Sequence, residues 1–78
     1  MLTRERRLVV AFHTTHDAMA FEEYCHAHGA RGRLIPLPRE ISAGCGLAWS
    51  APDGDEAALR DTLARSGIVP QEVRAMEV

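Results

Sequence analysis

Leu8-Val9-Val10-Ala11-Phe12 is an unbroken run of apolar residues, three of them β-branched or aromatic. A strand with one wet face alternates polar and apolar residues, so a run without alternation predicts a strand buried on both faces. The chain has 78 residues and a mass of 8.6 kDa, which allows one domain. Folding at this length hides roughly 60–65% of the unfolded chain's surface, and the core is correspondingly small. Nothing approaches about 18 consecutive apolar residues, so no membrane-spanning helix is expected. Leu8–Phe12 is also too short for the core of a signal peptide. Nine arginines, no lysine and eleven acids leave a net charge of −2, which is not the footprint of a nucleic-acid binder. Two cysteines cannot staple a disulfide scaffold, and without an export signal the expected compartment is the reducing cytoplasm. Residues 1–7, with Arg4, Arg6 and Arg7 around Glu5, are expected to form a flexible tail before a single domain over 8–78.

The remaining segments fall into a definite order. Thr14 or Thr15 opens a helix, with Asp17 placed to complement its dipole. Ala18, Phe21, Cys25 and His28 form one stripe along it, with Tyr24 at the edge and Gly29 as terminator. Arg33–Leu37 reads as a second strand. Pro36 and Pro38 cannot donate to a ladder, which sends that strand to a sheet edge. Leu47–Ser50 is a third strand. Asp53 and Glu56 have capping-box spacing before a second helix that runs to about Ser66, and Val73–Val78 is the last strand. The order β-α-β-β-α-β is the split βαβ arrangement of an α+β ferredoxin-like sandwich, a four-stranded antiparallel sheet with two helices on one face. Its strand order, 4-1-3-2, puts the proline-bearing strand at an edge.

In that topology the start of the first helix and the connection between strands two and three share one end. Residues 13–17 and residues 38–46 are therefore expected to be neighbours. The connection has nine residues, Pro38 to Gly46, against the usual two to five or so, and long loops on small scaffolds tend to be functional. Cys45 lies between Gly44 and Gly46, which leave its sulfur unshielded and let successive N–H groups converge on an anion. Moving a thiol from a pKa of about 8.5 to about 7 takes roughly 2 kcal/mol. A helix N-terminus, loop N–H groups, the Ser42 hydroxyl and Arg39 are the candidate donors. Arg39 has an equally simple use in an ion pair with Glu40 or Asp17.

The other reactive side chains read differently. Cys25 sits on the helical stripe as a small buried hydrophobe facing the sheet below the loop, away from a disulfide with Cys45. His26 and His28 point about 200° apart on their helix, cannot chelate together, and suit the helix C-terminus. His13 and His16 lie at the functional end without metal-ligand spacing, so no metal is expected; a general base toward the thiol, or a donor to a bound anion, suits either. Trp49 reads as core. No phosphate loop, dinucleotide-binding glycine pattern, paired catalytic acids or serine triad can be assembled.

Thr15-His16-Asp17-Ala18-Met19, together with Leu34-Ile35-Pro36-Leu37-Pro38-Arg39-Glu40-Ile41-Ser42-Ala43-Gly44-Cys45-Gly46-Leu47-Ala48, resembles the small bacterial selenium/sulfur carrier protein-like family. The family pattern is a strand, a helix opening on a His-x-Ala-Met-like segment, a Pro-x-Pro-Arg-x-x-Ser-x-x-Cys-Gly loop and a C-terminal αβ unit. The match runs over roughly residues 8–78, with the loop as its specific part. The resemblance implies a carrier rather than an enzyme, holding sulfur or selenium on the motif's cysteine, which is Cys45 here, with Pro38-Arg39 matching the motif's Pro-Arg. Cys25 has no counterpart in the motif.

Two functions of different kinds are therefore expected. In the first, Cys45 transiently carries sulfur or selenium as a persulfide or selenosulfide and needs no organic cofactor. Its partners are a donor protein such as a cysteine desulfurase and an acceptor in selenium or sulfur metabolism. In the second, the domain is a small anion-binding or regulatory module in which Cys45 matters only for shape. A homodimer through the open sheet face is compatible with either.

Overall fold

The computed structural model describes residues 4–78. Strands β1 (Arg6–Ala11), β2 (Arg33–Pro36), β3 (Leu47–Pro52) and β4 (Glu72–Glu77) alternate with helices α1 (Thr15–His28) and α2 (Glu56–Ser66). The sheet order is β2-β3-β1-β4, with every neighbouring pair antiparallel. This is the α+β ferredoxin-like arrangement expected from the element order, and β2 with its Pro36 does lie at an edge.

Local chemistry sets the element ends. Thr14 caps α1, its Oγ1 accepting from the Asp17 N–H at 3.0 Å, and Gly29 ends the helix at φ 69°. The capping box expected of Asp53 and Glu56 does not form. Asp53 begins a single 3₁₀ turn and faces Arg6 at 3.5 Å, while Glu56 accepts from Arg60 one turn on. His28 is also off the stripe assigned to it. It is exposed and stacks on Tyr24 with ring centroids 4.1 Å apart, leaving Ala18, Phe21 and Cys25 as the buried face. At the other end of the chain β1 starts at Arg6, two residues before Leu8. Arg6 and Arg7 are thus strand residues rather than tail, and Glu5 exchanges backbone hydrogen bonds with Val78. Residues 1–3 of the expected tail lie outside the described residues.

The core has two sides because β1 has two dry faces. On the helix side Leu8, Val10 and Phe12 pack with Phe21, Trp49, Leu59 and Leu63. Phe12, Phe21 and Trp49 form an aromatic chain with centroids 5.5 and 5.6 Å apart, the second pair edge-on. On the opposite face Val9, Ala11 and Ala48 are covered by Ile41, a residue of the β2–β3 connection. The connection folds back over the sheet and supplies the second cover, so the face expected to be open is open only toward its far end.

Gly32, just before β2, fixes how closely that edge approaches the core. Its φ is 139°, and a Cβ there would lie 2.5 Å from Trp49 Nε1 and 2.6 Å from the Ser50 carbonyl oxygen. The indole N–H is buried, and no hydrogen-bond partner for it is found among the described residues. A Gly32→Ala variant should therefore lose about 2 kcal/mol or more of stability. Urea unfolding followed by Trp49 fluorescence measures this, and an unchanged midpoint would contradict the packing described.

Candidate functional site

With β1 running upward, the upper end of the molecule carries the first turn of α1 and the connection from Leu37 to Gly46. The base of that connection is closed by the Leu37 N–H donating to Gly46 O at 2.9 Å, and a turn follows in which Ile41 N–H donates to Pro38 O at 3.1 Å. Ile41, 3% exposed, then anchors the segment on one face of the sheet. Two side chains from the C-terminal part of the chain hold it: Gln71 Nε2 donates to Ser42 O at 2.6 Å, and Arg74 Nη1 to Glu40 O at 3.5 Å.

Beyond Ser42 the chain crosses the end of the sheet, because Cys45 belongs to the buried cluster on the helix side. Gly44 sits at the crossing. A Cβ there would come within 2.9 Å of the His13 carbonyl oxygen, so the close approach demands glycine. The expected meeting of residues 13–17 with residues 38–46 is therefore present in the structure.

The setting of the sulfur differs from the expectation. Cys45 is 2% exposed, although Gly44 and Gly46 on either side of it are exposed. Glycine flanks bend the chain so that the side chain turns inward instead of leaving it bare. One backbone donor reaches the sulfur, Leu47 N–H at 3.3 Å, and the thiol has Leu47 O at 3.5 Å as its own acceptor. A converging nest of several donors is not found among the described residues.

The remaining candidates gather at this end without touching the thiol. Arg39 is exposed, and the ion pair with Glu40 or Asp17 considered for it is not found among the described residues. Ser42 contributes its carbonyl oxygen to the Gln71 contact rather than a hydroxyl to Cys45. His13 is exposed and meets the loop through its backbone. His16 lines a shallow depression on the outer side of α1 with Met19, Glu22, Glu23 and His26. No group of three or more His, Cys, Asp or Glu side chains placed to hold a metal is found among the described residues.

Cys25 is ten residues into α1 from Thr15, about 15 Å along the helix from the end that Cys45 occupies. Both thiols are free. Cys25 is fully buried, and burial without a charged partner pushes its pKa up to about 11, which keeps it protonated and unreactive. Ile41, Gln71 and Arg74 are the residues that sequence reasoning missed. Ile41 had a signal, an isolated β-branched apolar residue in a polar loop beside a strand needing two covers. The other two had none.

Two measurements follow from this geometry. Ile41→Ala should cost about 2–4 kcal/mol in denaturant unfolding and raise the rate at which a thiol reagent labels Cys45 at least about fivefold, because the loop loses its anchor. Unchanged labelling would mean that Ile41 does not hold the loop. For Cys25 the folded pKa exceeds the unfolded one, so its neutral form stabilises the fold below about pH 9. That contribution, on the order of 2–3 kcal/mol, is lost as pH rises toward about 11. The stability gap between the parent and Cys25→Ala should narrow over that interval.

A family model described as "Putative Se/S carrier protein-like" matches residues 7–74, a span that takes in all of α1, the Cys45 loop and α2. No match is found among curated proteins or among solved structures. The family match covers most of the chain, and the chain belongs to the Se/S carrier protein-like family.

Proposed function

We propose that this domain carries sulfur or selenium on Cys45. The observation that carries the reading is the contrast between two thiols in one small core. Cys25 is sealed under a helix, whereas Cys45 lies at the chain crossing beside the start of α1, with the Leu47 N–H directed at its sulfur. An N–H that donates to a thiol sulfur also stabilises the thiolate at the same place.

The proposed transfer is an exchange without net oxidation. The Cys45 thiolate attacks the terminal sulfur of a donor persulfide, such as that of a cysteine desulfurase. The new Cys45 S–S bond forms as the donor's S–S bond breaks, and the donor thiolate leaves and takes up a proton. An acceptor nucleophile then attacks the terminal atom and releases the Cys45 thiolate. With a selenosulfide donor, selenium occupies the position of the terminal sulfur. Because Cys45 is 2% exposed, both steps require the 38–46 segment to swing away from the sheet, which means withdrawing Ile41 and releasing the Gln71 and Arg74 contacts. The chemistry needs a reduced thiol and so fits a cytoplasmic setting.

The burial of Cys45 favours a second reading, in which the thiol is a small core residue of an anion-binding or regulatory module. Incubation with a cysteine desulfurase and cysteine, followed by intact mass measurement, separates the two. The carrier reading expects the mass of one added sulfur atom, lost on reduction and absent from Cys45→Ser. Failure to gain sulfur, or equal gain by Cys45→Ser, would favour the module.

A further inference from the structure

The nine arginines divide unequally. Six have a carboxylate within 4.0 Å: Arg4, Arg6, Arg31, Arg60, Arg65 and Arg74. Of the three without one among the described residues, Arg39 is on the loop, and Arg7 and Arg33 stand close together on the sheet. The register explains why. Ser50 pairs with Arg33 on one side and with Val9 on the other, and Arg7 lies two residues from Val9 on β1. Side chains of paired residues, and of residues two apart on one strand, share a face. Arg7, Ser50 and Arg33 are therefore on the face opposite the helices, beyond the part that Ile41 covers.

Arg7 is held in place. Its Nε donates to Ser50 Oγ at 3.0 Å and its Nη2 to the Ser50 carbonyl oxygen at 3.4 Å, both toward a residue that is 2% exposed. That leaves three of its five N–H donors unspent on a half-buried guanidinium. Arg33 is exposed and free to close from the neighbouring edge strand. The two arginines line a groove of about 340 Å³ whose opposite wall is Ile35, Pro36 and Pro38, and both also line an adjoining one of about 300 Å³. Glu5 lines both grooves and Val78 the larger one, yet among the described residues no carboxylate lies within 4.0 Å of either arginine, so the donors of both guanidinium groups stay available.

We infer that this groove is a binding site for a small oxyanion, a carboxylate or a phosphate attached to a compact apolar body. Arg7 presents its remaining donors in a fixed orientation, Arg33 supplies the second positive charge, and the proline–isoleucine wall takes the apolar part. The inference does not depend on the chemistry of Cys45.

Titrations of ¹⁵N-labelled protein with inorganic phosphate and with succinate, each against chloride at matched ionic strength, test it and distinguish the two anion classes. Saturable shifts at the amides of Arg7, Arg33 and Ser50 with at least one of them are expected. Arg33→Ala should weaken the binding about tenfold, and Arg7→Gln, which keeps a donor for Ser50, by a similar factor. Arg39→Ala should leave it unchanged. Circular dichroism establishes that each variant is folded, and Arg33 is exposed, so at least that substitution leaves the core intact. No saturable shift beyond the chloride control, or binding that survives both arginine substitutions, would overturn the inference.

Discussion

Everything in this molecule is arranged around a strand with no wet side. Leu8–Phe12 is buried residue by residue, and β1 is hydrogen-bonded to β3 on one edge and β4 on the other. Burial of a Leu, Val or Phe side chain is worth about 1.5–3 kcal/mol, so the four in this run dominate the stability of a domain this small. Two helices can shield only one face of a four-stranded sheet. The second shield comes from a connection, and the longest among the described residues is the segment from Pro38 to Gly46. Its length is a structural requirement before it is a functional one.

That requirement shapes the chemistry at the upper end. A loop that must place Ile41 on one face and rejoin β3 has to pass around the end of the sheet, and it does so through Gly44 and Gly46. Cys45 is carried inward by the same bend and shares the helix-side core. The sulfur is consequently protected in the closed arrangement, with Leu47 N–H as its one donor among the described residues.

Much of the fold was legible in the residues. Uninterrupted hydrophobicity marked β1, helical spacing marked α1 and α2, and Pro36 with Pro38 placed β2 at the edge. The juxtaposition of residues 13–17 with the loop followed from topology alone. What was not legible depended on three-dimensional competition for partners. Asp53 had capping spacing but found Arg6 on a neighbouring strand, and His28 had stripe spacing but found Tyr24. The inward turn of Cys45 was hidden because flanking glycines permit both an exposed and a buried thiol. Only the path imposed by Ile41 decides between them. Gln71 and Arg74 reach the loop from about thirty residues away, and no local pattern announces such a contact.

The contacts made by Gln71 and Arg74 have a consequence for biosynthesis. The loop that surrounds Cys45 leaves the ribosome roughly thirty residues before the side chains that fasten it. The loop therefore lacks this fastening until Gln71 and Arg74 have been made, and the seat is finished only when β4 docks along β1. In this chain the lock is made after the door.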